Sequence, residues 1–159
     1  MARRSAEETP LTTIRAILGW ALVAGTAGTL LELLLIGHDE MAAQFAPLLL
    51  LGLGLVVGVA SLIVPRPVTI RALRLLMVLF VGSGIVGVGL HYWGNQEFEL
   101  EMHPSSSGVN LIAETLTGAT PVMAPGSMAL LGVVGLAFTY RHPLLRRHAA
   151  VASSQEAQS

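Results

Sequence analysis

The amino-acid sequence predicts an all-α integral membrane protein built as a four-transmembrane-helix bundle, and three observations carry that reading. Hydrophobic residues make up 53% of the 159 residues and charged ones only 12%. The mean hydropathy of +0.68 lies well above that of an ordinary soluble domain. Four long stretches, Ala16 to Leu31, Met41 to Pro65, Leu75 to Gln96 and Thr115 to Tyr140, carry almost no charge. Each is close to the roughly 20 residues a helix needs to cross about 30 Å of hydrocarbon. The nine basic residues are all arginine, and they sit only before the first stretch, between the second and third, and after the fourth. Only helices and closed barrels satisfy their backbone in lipid, and these runs lack the alternation of barrel strands.

A segment 1–12 is expected to stay in the cytoplasm and to lead into helix 1 at about 13–37. Its run is too long for a cleaved signal, and no small-residue cleavage site precedes a polar start. The pair Arg3-Arg4 is followed by Ser5, Ala6, Glu7 and Glu8 rather than by an apolar segment, which argues against a twin-arginine signal. Helix 2 is expected at about 43–64, and Pro65-Arg66-Pro67 makes a stiff corner into helix 3 at about 72–94. Tyr92 and Trp93 read as interfacial anchors at its end.

An outer loop, 95–124, separates helix 3 from helix 4. Within it Val109, Ile112, Ala113 and Leu116 fall at i, i+3, i+4 and i+7, the pattern of a short amphipathic interfacial helix with Ser107 as its cap and Gly118 at its end. Helix 4 is expected at about 125–141, because proline is best tolerated in a first turn. His142-Pro143 ends it, and 143–159 reads as a disordered cytoplasmic tail.

Arginine fixes the expected orientation. Arg15, Arg66, Arg71, Arg74, Arg141, Arg146 and Arg147 all flank one side, and the two other connections contain no Lys or Arg. The positive-inside rule then gives N-in and C-in topology in a bacterial inner (plasma) membrane. The bacterial assignment rests on the absence of lysine beside abundant Ala, Gly and Val.

Ionisable residues gather toward the other side. Glu32 lies 17 residues beyond Arg15, roughly 25 Å along a helix at about 1.5 Å per residue, so it falls just inside the outer boundary. A carboxylate there is a functional candidate because exposing it to lipid is costly, although at that depth it also reaches the interface. In the segment His91 to Pro104, an extended chain would put Glu97, Glu99, Glu101 and His103 on one face. With Glu32, His38, Asp39 or His91 they form a candidate outer-face polar or metal site. Oxygen ligands favour Ca²⁺, Mg²⁺ or Mn²⁺, and added imidazoles favour Zn²⁺ or Cu²⁺. The same acids also serve simply to solvate an outer loop, and the spacing matches no defined metal motif.

Glycine is the remaining signal. Gly54 with Gly58, and Ser83 with Gly87, are small-xxx-small pairs that let helix backbones approach within the bundle or between copies. There is no cysteine, which excludes disulfides and thiolate chemistry. No phosphate loop, HExxH or GxSxG appears, and no basic patch for nucleic acid stands apart from the helix borders.

These features point to a non-enzymatic accessory or assembly subunit, or a self-associating bundle, with the lipid bilayer and a homo-oligomer or larger membrane complex as partners. A cation or proton-coupled transporter using Glu32 is an alternative. Its layout resembles the small multidrug resistance family, which has four short helices and a glutamate in the first. This chain departs from that pattern in its complete charge bias, its long outer loop and the position of Glu32 toward one face. An outward-facing divalent-metal-binding or sensory protein is a second alternative.

Overall fold

A computed structural model describes residues 2–37 and 44–146, with side chains from Pro10 onward. The described chain is all-helical, without strands: α1 (Ala2–Leu35), α2 (Phe45–Ile63), α3 (Pro67–Met102), α4 (Gly108–Leu116) and α5 (Gly126–Thr139). Three helices contain a stretch long and apolar enough to cross a membrane, namely Pro10–Leu35 in α1, Phe45–Ile63 and Pro67–Met102. The apolar α5 has 14 residues, about 21 Å of helix. Hydrogen-bonded turns precede it: Ala124 N–H donates to Pro121 O and Gly126 N–H to Met123 O.

Several boundaries differ from the sequence expectation, among them the start of α3, which falls at Pro67 rather than near residue 72. The helical backbone of α1 starts at Ala2, so most of the expected N-terminal segment 1–12 belongs to the helix. Helix α3 does not stop at residue 94 but runs to Met102, converting residues 95–102 of the expected outer loop into helix. The reason is local. Nothing between Gly94 and Met102 breaks a helix, and the first true breaker is Pro104, which disfavours helical backbone at the residue before it. His103 accordingly leaves the helix at φ −133°, ψ 77°. The other end of α3 is set by Pro67 in the first turn and by Thr69, whose hydroxyl accepts from Arg66 N–H at 3.0 Å. The expected tail is also partly ordered as a helical turn at 143–146, whereas residues 147–159 lie outside the described residues.

The four long elements close a ring in which α1 packs on α2, α2 on α3, α3 on α5 and α5 on α1. The α3–α5 seam is the tightest. A Cβ at Gly84 would lie 2.6 Å from Ala129 N, and one at Gly132 would lie 2.7 Å from Met77 O, so the two backbones nearly touch there. Gly135 makes room for Met77, and Gly54 lies beneath the Phe80 ring. Leu22, Leu51, Ile70, Leu73, Met77, Phe80, Met128 and Phe138 form the buried core. Of the glycine pairs expected from spacing, Gly58 faces Val23 and Gly87 faces Pro125, while Ser83 is half-buried.

Candidate functional site

Polar side chains concentrate at the two ends of the bundle, an arginine end and an acidic end. At the arginine end the last carbonyls of α5 have no helical partner of their own. Arg15 from α1 donates through Nε to Phe138 O and through Nη2 to Tyr140 O, both at 3.4 Å. Arg74 from α3 donates to Thr139 O and, at 3.5 Å, to Thr139 Oγ1. Two guanidinium groups therefore cap one helix C-terminus, where the helix dipole favours positive charge.

His142 is buried beside this cap. Its ring lies 5.9 Å from the Phe138 ring, and its Nδ1 accepts from Leu144 N–H at 3.4 Å. Burial first, then the positive charges of Arg15 and Arg74, hold its pKa below the ordinary 6.5. Arg74, Arg141, His142, Arg146, Leu136 and Leu145 border an open cleft of about 520 Å³ here. Arg66 stands at the α2–α3 corner and Arg71 one turn into α3, whereas Arg147 is outside the described residues.

At the acidic end the protruding part of α3 carries α4 folded back against it. Asn95 is the joint. Only 3% exposed, it donates through Nδ2 to Thr115 O (3.0 Å) and Thr120 O (2.7 Å), and its Oδ1 accepts from Thr120 N–H (3.1 Å) and Thr120 Oγ1 (2.6 Å). Gly118 lies against this amide, where a Cβ would come within 2.9 Å. His91 Nδ1 reaches Pro121 O at 3.2 Å, and Ser106 Oγ donates to Glu114 at 3.0 Å. Ser107 occupies the N-cap position of α4, but its side chain makes no capping bond.

The acids expected on one extended face are instead wound around a helix. Glu97 and Glu101 share one exposed face at i, i+4. Glu99, largely covered, lies 3.6 Å from His103. Among the described residues no three His, Asp or Glu side chains come together as a metal site. His91 is committed to Pro121, and Glu32 is exposed on α1. His38 and Asp39 lie outside the described residues. The expected cluster of Glu32, His91, Glu97, Glu99, Glu101 and His103 is therefore not assembled by the described chain, because helix continuation replaced the period of two with one of 3.6.

Apolar groups surround the acidic end without covering. Trp93 is 66% exposed, Val109 is 80% exposed, and Phe98, Met102, Ile112 and Leu116 are also exposed. Asn95 and the Gly84–Gly132 contact were not singled out from sequence. The signal for Asn95 was an amide at a helical position facing His91 and Glu99 on the i−4 and i+4 rows, legible only once α3 is known to continue. Comparison with known protein families, with curated proteins and with solved structures gives no match to this chain.

Proposed function

We propose that this is a four-span membrane protein, arginine end in the cytoplasm, that serves as an accessory or assembly subunit by presenting the α3–α4 platform on the outer side. One observation carries the reading. Helix α3 has 36 residues, about 54 Å, well over the roughly 30 Å hydrocarbon thickness, and its surplus bears α4, held by one buried amide that bonds Thr115 in α4 and makes three more hydrogen bonds to Thr120 just beyond it. A helix that merely crosses lipid gains nothing from such a rigid extension, whereas a contact surface does. Exposed Trp93, Phe98 and Ile112 beside Glu97 and Glu101 supply the apolar anchors and charged rim that protein interfaces use. In this reading the turns from Pro121 bring α5 up to spanning length, and α4 lies at the membrane surface.

The bundle interior supports an accessory role over transport. The α3–α5 seam is closed by backbone contact, and Glu32 faces outward from α1. A Glu32-coupled transporter would therefore need a second copy to enclose that carboxylate. A photo-reactive residue at Phe98 or Ile112, activated in intact cells, tests the proposal. The expected result is one discrete adduct heavier than the chain, lost when Asn95→Leu frees α4. A chain that remains uncrosslinked at both positions would count against it.

A further inference from the structure

We infer that the cleft at the arginine end is a binding site for the phosphodiester headgroup of an anionic phospholipid. Arg15 stands beside it on the α5 carbonyls and Arg74, Arg141 and Arg146 line it, and among the described residues no carboxylate pairs with any of the four. The first two have work within the fold, capping the α5 carbonyls. Arg141 and Arg146 do not. Arg141 lies 5.5 Å over the exposed Tyr140 ring, and Arg146 is exposed, its side chain making no hydrogen bond among the described residues.

Arg141 is also the only non-glycine residue with positive φ among the described residues, at +44°. That conformation turns the chain sharply after α5 and brings residues 141–146 back beside Arg74. The result is a cluster of positive charge without a carboxylate partner among the described residues, and buried His142 already feels the field of Arg15 and Arg74. An external anion is the missing partner, and guanidinium is suited to phosphate because it donates in a bidentate fork.

The choice of a lipid over a soluble phosphate comes from the rest of the wall. Leu136 and Leu145 line the same cleft, and Leu136 lies on the apolar helix α5. A soluble phosphate would meet these leucines with nothing to bury against them. A glycerophospholipid carries its glycerol and first acyl carbons just below the phosphate. The open cleft of about 520 Å³ accommodates that headgroup, with Leu136 and Leu145 as the apolar wall for the carbons below it.

The test uses the full chain in phosphatidylcholine nanodiscs, titrated with phosphatidylglycerol and read by native mass spectrometry as lipid retained. Each arginine near a membrane surface contributes about 1 kcal/mol toward an anionic lipid, so Arg141→Gln with Arg146→Gln should weaken retention on the order of thirtyfold. Arg146→Gln alone, at an exposed position without a bond to lose, should weaken it about fivefold and serves if the double variant misfolds. Equal retention of phosphatidylglycerol by wild type and variants would overturn the assignment. So would equal retention of phosphatidylcholine, or displacement of the lipid by inorganic phosphate at matched concentration.

Discussion

At the scale of single residues, charge inside this protein is placed where a specific carbonyl or field needs it. His142 shows this most directly. Its ring is buried, its Nδ1 accepts from Leu144 N–H, and Arg15 and Arg74 oppose its protonation, so its folded pKa lies below 6.5. An unfolded chain therefore binds more protons than the folded one as the pH falls below 6.5. The stabilising contribution of neutral His142 is complete above that value and is lost as the pH falls toward the folded pKa. Thermal unfolding in neutral detergent should thus fall more steeply between pH 7.5 and 5.5 for the wild type than for His142→Gln, whose amide oxygen still accepts from Leu144. Identical slopes would mean that His142 does not feel this field. Asn95 works by the same economy at the opposite end, where one amide answers three backbone groups and one hydroxyl.

At the scale of elements, the sequence reveals helices through length and hydropathy but not where a helix ends outside lipid. Tyr92, Trp93 and Gly94 read from sequence as interfacial, and a reading based on hydropathy stops there. The backbone recognises only breakers, so α3 continues until Pro104. That single difference explains why the carboxylates do not align, since a helix separates Glu97 and Glu101 from Glu99. The pairing of helices was equally hidden. Spacing within one helix nominates Gly54, Gly58, Ser83 and Gly87, but which glycine bears a backbone contact depends on α3 meeting α5. The contact falls at Gly84 and Gly132.

A contrast between neighbours checks this. Gly84→Ala would force a Cβ to 2.6 Å from Ala129 N, and backbone cannot yield locally, so a loss of about 1–3 kcal/mol is expected. Gly82→Ala, with nothing within 4 Å, should be neutral or stabilising by up to about 1 kcal/mol through helix propensity. Reversible unfolding in detergent separates the two. Equal effects would remove the seam from the account.

At the scale of the whole molecule, the ring α1–α2–α3–α5 puts the starts of α1 and α3 and the ends of α2 and α5 at one end, through the Arg15 and Arg74 contacts to α5. Arg15, Arg74 and Arg141 consequently sit at the opposite end from Glu97, Glu99, Glu101 and Glu114. The all-helical, strongly apolar character was legible because a helix suited to lipid carries apolar residues on every side, and the exposed Leu49, Val56, Leu75, Ile85 and Leu130 fit that pattern. Whether α5, with 14 residues, completes a fourth crossing is the central claim.

The natural chain has no cysteine, so a single one can report on each side. Ser105→Cys lies between α3 and α4, and Ser153→Cys lies beyond α5. A membrane-impermeant maleimide applied to intact cells is predicted to label Ser105→Cys at once and Ser153→Cys only after permeabilisation. Labelling of both positions in intact cells would place them on one side of the membrane, leaving α5 without a crossing and contradicting the four-span account.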